Sequence, residues 1–315
     1  MENFKSGFVS IIGRTNVGKS TLLNALAKQK VAITTNKPQT TRTAIKAILN
    51  RPNSQIIFVD TPGIHKPKNK LGNILVKTAF NTSKEVDLVL FVIEANSSEI
   101  RKGDLFILEK LKEEKVKTIL VINKIDLIKK EALLKVIENY IKEYQFEAVV
   151  PICANTTQGL EELLIEIENQ LPKGPKYYDE EEYTDQTSRQ LAEEVIREKA
   201  LKLLNDEVPH GIYIEIEKMN FKKTICHIDA VIYCTKNSHK GIIIGKDGNM
   251  LKKIGTYARQ DLENILKIKV NLQIWVKVNK DWQNSEKIIK RFNTTNEKWI
   301  KKLFLQKIKL KFLNF

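Results

Sequence analysis

Gly13-Arg14-Thr15-Asn16-Val17-Gly18-Lys19-Ser20-Thr21 stands between the apolar run Phe8-Val9-Ser10-Ile11-Ile12 and a helical pattern carrying Leu22, Leu23, Ala25 and Leu26. Two glycines five apart, then Lys and Ser, with a strand before and a helix after, form the pattern of a phosphate loop. Glycine lets backbone N–H groups turn inward around a phosphate, and the helix N-terminus adds unpaired donors and partial positive charge. Lys19 is placed to reach the β- and γ-phosphates and the Ser20 hydroxyl to ligate magnesium. The ligand this stretch predicts is a magnesium nucleoside triphosphate.

The base is read further along. Asn123-Lys124-Ile125-Asp126 follows the apolar run Thr118-Ile119-Leu120-Val121-Ile122 and so lies at the carboxyl end of a strand, where open α/β sheets bind ligands. Guanine offers two adjacent donors, N1–H and the 2-amino group, which the Asp126 carboxylate can accept together; adenine offers neither. Asp60-Thr61-Pro62-Gly63 closes the strand Gln55-Ile56-Ile57-Phe58-Val59. Asp60 is expected to hold magnesium through a water, and the Gly63 N–H to face the γ-phosphate, ordering the next segment only while that phosphate is present. Within Gln39-Thr40-Thr41-Arg42, one threonine closes over magnesium and the γ-phosphate; Thr41 is preferred over Thr40. Lys19, Thr41 and Gly63 form the predicted catalytic group, and Ser20, Thr41 and Asp60 the metal set.

The 315 residues, 42% of them apolar, suffice for two domains with cores of their own. No apolar run is long enough to span a bilayer. The N-terminus leads almost directly into the first strand, leaving no room for a signal peptide, which predicts a cytoplasmic protein. Cys153, Cys226 and Cys234 lack CxxC spacing and sit in strand-like stretches, so buried free thiols are expected. The net charge of +15 is uneven: residues 195–315 hold 25 basic against 12 acidic residues. Part of that excess is an ordinary solvated face, but its concentration suggests a polyanionic partner, nucleic acid or anionic lipid.

Residues 8–172 alternate strands (8–12, 43–49, 55–60, 86–94, 117–123, 148–153) with helical stretches, implying a mostly parallel sheet with helices on both faces. The breaker cluster Pro172-Lys173-Gly174-Pro175 ends this domain, and an acidic stretch read as a linker fills 173–187. From Ser188 the order becomes helix, two strands, helix, loop, helix, strand. The loop, Gly245-Lys246-Asp247-Gly248, has the form of the GxxG clamp of a KH domain, which holds about four single-stranded nucleotides. Its residues, with Lys252 and Lys253, are the predicted RNA contacts. The element order predicts an α+β domain of the type II KH form over 188–292. Residues 293–315 form a lysine-rich tail with Ile300, Phe304, Ile308 and Phe312 at every fourth position, either a basic amphipathic helix or an unstructured extension.

Together, Gly13 to Thr21, Gln39 to Arg42, Asp60 to Gly63, Asn123 to Asp126, Leu171-Pro172-Lys173-Gly174-Pro175-Lys176-Tyr177-Tyr178, Glu207-Val208-Pro209-His210, Ile244 to Gly248 and Trp275-Val276-Lys277-Val278 with Trp282 resemble the Era family of bacterial GTPases. The likeness covers about residues 5–292. It implies a monomeric GTP- and GDP-binding switch that binds the 3′ end of 16S ribosomal RNA, acts in assembly of the small ribosomal subunit, and touches the cytoplasmic membrane peripherally. Cys153-Ala154 stands where GTPases present a backbone N–H to guanine O6; Cys153 replaces the family's more frequent Ser. The rival reading is a membrane-associated regulatory GTPase whose basic half binds anionic lipid. Ile64 occupies the position where many GTPases carry a water-orienting Gln, which predicts slow intrinsic turnover. Asn16 resembles the residue with which potassium-stimulated GTPases hold K+; a loop-stabilising hydrogen bond is the alternative.

Overall fold

The computed structural model describes residues 3–35, 37, 40–42, 45–64, 70–96, 99–286 and 288. Gln39 and the tail 293–315, both singled out above, lie outside the described residues. The chain forms two units, the first built from Met1–Ala32 and Thr41–Asp185, the second from Ile33–Thr40 and Gln186–Ser285.

The first unit holds β1 (Lys5–Ile12), α1 (Lys19–Ala27), β2 (Ile45–Arg51), β3 (Ser54–Asp60), α2 (Lys70–Glu85), β4 (Leu88–Glu94), α3 (Lys102–Glu114), β5 (Thr118–Asn123), α4 (Lys130–Glu143), β6 (Ala148–Pro151) and α5 (Leu160–Gln170). Its sheet runs β2-β3-β1-β4-β5-β6; only the β2–β3 pair is antiparallel. The strands are apolar on both faces because helices cover both. On β1, Val9 and Ile11 join a core with Leu22, Leu23 and Leu26 of α1 and Leu163 and Ile167 of α5. Phe8 and Ile12 point the other way, into a core with Ala79 of α2, Leu108 and Leu111 of α3 and Val136 of α4. This two-sided burial is the α/β arrangement expected from the sequence.

The stretch from Pro172 is fastened to this unit through Asp185. Ser6 N donates to Pro172 O (3.1 Å) and Gly174 N to Phe4 O (3.0 Å). The buried Gln55 side chain accepts from Tyr177 N and Tyr178 N and donates to Tyr178 O (2.8 Å). Ile48 N donates to Tyr183 O (3.0 Å), and buried Lys46 binds Asp185 and the Tyr178 hydroxyl. The outward-facing edge of β2, which would otherwise be open to another strand, is thereby occupied. A run of five acids in ten residues reads as a solvated linker; its fastening depends on side chains of β2 and β3 about 130 residues away, which no local pattern reports.

The second unit holds α6 (Ser188–Leu203), β7 (Ile212–Phe221), β8 (Ile225–Cys234), α7 (Asn237–Ile244), α8 (Asn249–Leu266) and β9 (Lys269–Val278). The sheet order is β7-β8-β9, antiparallel then parallel. A capping box starts α6: the Thr187 hydroxyl accepts from Gln190 N while Gln190 Oε1 accepts from Thr187 N. Val195 and Ile196 of α6, Ile254, Ala258 and Leu262 of α8 and alternate residues of the sheet form one core. Ile33 is buried in that core. Thr34 N donates to Glu198 Oε1 (3.3 Å), and the Arg197 guanidinium donates to Thr40 O. The segment just ahead of Thr41 is therefore packed on α6.

Candidate nucleotide site and nucleic-acid loop

Gly18 caps α1 with φ +99°, and a Cβ there would stand 2.2 Å from Asn123 Nδ2. Only glycine fits, because Asn123 crosses over it to donate to Val17 O (2.9 Å). The Oδ1 of Asn123 accepts from Lys124 N (2.8 Å) and Ala154 N (3.0 Å). Asn123 is thus a strut tying the phosphate loop to the loop after β6. The Ala154 amide, the one expected to face guanine O6, donates here to Asn123 Oδ1, as a buried N–H must find an acceptor. The Cys153 amide is spent on Gln158 O (3.0 Å). Lys124, at φ +64°, spans from Glu94 Oε1 (2.7 Å) to Asn16 O (3.0 Å). Asp126 is exposed in the short turn Ile125–Leu127, free of the core.

Lys19 is buried and donates to Gly13 O (3.1 Å) and Arg14 O (2.7 Å). Burial and the nearby Arg14 pull its ammonium down to about 8, against the attraction of Asp60. Ser20 Oγ lies 2.8 Å from Asp60 Oδ2 and 2.9 Å from Thr41 Oγ1, which itself donates to Asp60 Oδ2 (3.1 Å). Thr40 turns away, to Lys37 O (2.7 Å) and Thr35 Oγ1 (2.8 Å). Desolvation raises the Asp60 carboxyl, with Lys19, Ser20 and Thr41 opposing. Its Oδ1 is buried with no hydrogen-bond partner among the described residues. Two hydroxyls and a carboxylate with one idle oxygen suit a hard cation that keeps waters and phosphate oxygens as its other ligands. Ser20, Thr41 and Asp60 are the residues that would hold Mg2+, which when bound neutralises charge on the β- and γ-phosphates.

The Thr61 hydroxyl donates to Ile11 O (2.9 Å), and Pro62 is buried, so both hold the strand end. Gly63 lies against the loop: a Cβ there would be 2.8 Å from Thr15 Cγ2 and 3.1 Å from Lys19 Nζ. Ile64 N donates to Gly13 O (3.1 Å), and its side chain is buried in the core. Thr21 continues the first turn of α1.

One group went unread in the sequence. Arg14 reaches Asp104 of α3 with Nε 2.9 Å from both carboxylate oxygens, and Tyr140 of α4 donates to the same carboxylate (3.0 Å). Burial raises the Asp104 carboxyl, against the neighbouring Arg14. The phosphate loop is thereby pinned to two helices. An Asp in the first turn of α3 looks like ordinary helix-start chemistry, and nothing local pairs it with a residue 90 positions earlier.

In the second unit, Gly245 (φ +74°), Lys246, Asp247 (φ +53°) and Gly248 (φ +74°) form a tight turn between α7 and α8. A Cβ at Gly245 would meet Met250 Cβ at 2.7 Å. Lys246, Lys252 and Lys253 are exposed on this turn and on the first turns of the helix that follows it. A groove of about 400 Å3 runs from Gly248 past Lys252, Gly255 and Arg259, with Leu272 and Ile274 of β9 as its other wall.

A family model described as 50S ribosome-binding GTPase matches residues 8–124, and one for the KH domain matches 207–283. GTPase Era of Caldanaerobacter subterraneus subsp. tengcongensis is 51% identical over 297 residues, covering 94% of this chain and 99% of its own length. That of Clostridioides difficile is 51% identical over 292 residues, covering 92% and 98%. The chain belongs to the Era family of GTPases. Its Era architecture is matched in solved structures as well. Era in complex with MgGDPNP and nucleotides 1506–1542 of 16S ribosomal RNA gives a TM-score of 0.89 at 40% identity, covering 92% of this chain and 98% of that one. An Aquifex aeolicus Era variant bound to GDP and AlF4− gives 0.88 at 39%, covering 92% and 99%. As an Era GTPase, the chain binds and hydrolyses GTP.

Proposed function

We propose that this chain is a magnesium-dependent GTP switch whose KH unit binds the 3′ end of 16S ribosomal RNA during small-subunit assembly. The observation carrying this reading is the pairing, in one chain, of the Ser20–Thr41–Asp60 cluster with a Gly245–Gly248 clamp opening on a basic groove. The Era neighbour with MgGDPNP and 16S nucleotides supports it.

Two features support a coupling between the two activities. Thr41 belongs to the magnesium cluster, whereas Ile33, Thr34 and Thr40, just ahead of it, pack on or bond to α6 of the RNA-binding unit. A Thr41 held by magnesium would therefore constrain a segment anchored to that unit. The chain's own residues do the rest: Lys19 carries positive charge to the transferred phosphoryl, and Asp126 selects guanine. Turnover is slow, because Ile64 has no group to orient water. We also propose a cytoplasmic monomer, peripherally membrane-associated, with K+ held beside Asn16; no helix among the described residues is long and apolar enough to cross a membrane.

The test is fluorescence anisotropy of labelled 16S nucleotides 1506–1542 with the protein in a GTP-analogue and in a GDP form. A tenfold difference corresponds to about 1.4 kcal/mol of coupling. Equal affinities would leave two independent binders. Hydrolysis that is no faster in K+ than in Na+ would remove the cation from the reading.

A further inference from the structure

The sheet of the second unit extends beyond the helix that covers it. Arg189 donates to Ile216 O (2.5 Å), and Ile216 N donates to Glu193 Oε1 (3.2 Å), so the first turns of α6 pack beside Ile216. A bulge follows between Ile216 and Lys218, after which β7 continues to Phe221, opposite Cys226. Cys226 in turn pairs with Val270 of β9, and both are buried on the helix-covered face. Phe221 shares their row and hence their face, yet it is 56% exposed.

Around it the register gathers lysines. Lys222 and Lys223 form the hairpin turn, with Lys222 N donating to Ile225 O (2.9 Å). Lys267 caps α8 at φ +57°, whereas Lys269, opposite Ile225 and next to Val270, faces the other side of the sheet. Lys222, Lys223 and Lys267 form no ion pair among the described residues. The acids nearby are Glu263, which accepts from Val270 N and Arg259, and Asp229, further along β8 opposite Lys218. Strands lie about 4.8 Å apart, so the row from Phe221 to Val270 spans about 10 Å.

This end of the sheet is where the KH groove leads. The groove begins at Gly248 and follows α8, whose 18 residues span about 27 Å, towards Lys267. Its β9 wall, Ile274 then Leu272, descends towards Lys269. A strand held at the clamp and laid along the groove leaves it at the Lys267 end of α8, about 10 Å across the sheet from the exposed ring of Phe221.

We propose that Phe221, Lys222, Lys223 and Lys267 form a second holding point for single-stranded RNA, stacking one base and neutralising the phosphates beyond the clamp. The proposal rests on the RNA-binding reading above. Stacking on an aromatic face tolerates any base, and lysine neutralises phosphate through counterion release. The site therefore lengthens the footprint without adding sequence preference.

The test uses the full chain and RNAs trimmed stepwise within 16S nucleotides 1506–1542, from about four nucleotides to about twelve. Parent affinity should rise with length past the clamp. Phe221→Ala, and separately Lys222→Glu with Lys223→Glu, should lower affinity for the longest RNA about tenfold and leave the shortest that binds unchanged. The double charge reversal should also flatten the log–log salt dependence by at least about 1.4, or about 0.7 for each phosphate no longer neutralised. Lys246→Asp should weaken every length, which separates failure of the clamp from failure of the second point. An unaltered length dependence in the hairpin variants would overturn the proposal. So would loss of binding to phosphatidylglycerol vesicles with RNA binding intact, which would make the hairpin a membrane contact. Absence of RNA binding by the parent at every length would remove both readings.

Discussion

Lys19 shows how burial sets the working range of a phosphate site. Its ammonium is desolvated and held by two loop carbonyls, which brings its proton loss down to about 8. A triphosphate prefers the charged form, so binding above that value requires proton uptake. Affinity for a GTP analogue should hold steady below pH 8 and then fall by up to about tenfold per pH unit, as read by calorimetry. A flat profile from about pH 7 to about pH 10 would contradict this account. Arg14 and Asp104 present the opposite case, a pair with a buried carboxylate and a half-buried guanidinium that neutralise each other. Asp104→Asn should cost about 1–3 kcal/mol in urea unfolding, because the buried side chain loses its charge-assisted bond to Arg14. A loss under about 1 kcal/mol would mean that the loop does not depend on α3. At this scale the sequence was legible wherever chemistry is local: Gly18, Lys19, Ser20, Asp60 and Asn123 sit in contiguous motifs. It was illegible for Asp104 and Tyr140, whose partner is set by the order of strands.

Among elements, the informative one is the stretch from Pro172 to Asp185. Its composition is that of a tether, and its local pattern is neither helix nor strand. It is nevertheless held by Gln55, which is fully buried and meets two amides and a carbonyl of the stretch. Gln55→Ala leaves those groups without partners and should cost at least about 2 kcal/mol. It should also speed protease cleavage between Pro172 and Thr187; unchanged cleavage would show the fastening to be dispensable. The regular elements were easier to read. Each strand of the first sheet is an apolar run bounded by turn residues, and α8 follows the helical period, so tertiary context only moved their ends. On β7 the strict alternation through Glu217 gave no warning of the bulge or of four more strand residues beyond it.

For the molecule as a whole, the division at Ala32/Ile33 and Thr40/Thr41 cuts through what a linear reading takes as one loop. Arg197 and Glu198 hold that loop on α6, through Thr40 O and Thr34 N. Arg197→Ala should leave RNA affinity in the GDP form within about twofold, and reduce the gap between GTP-analogue and GDP forms from about tenfold to under about threefold. Persistence of the full gap would place the coupling elsewhere.

Ile64 bears on how long the active state lasts. Its amide is tied to Gly13, and its aliphatic chain faces inward among hydrocarbon neighbours. Grafting a polar side chain at that position would bury an amide in oil instead of presenting it to solvent. A glutamine grafted at Ile64 would therefore not offer its amide to a water at the phosphates. The lifetime of the loaded form is a property of the surrounding scaffold.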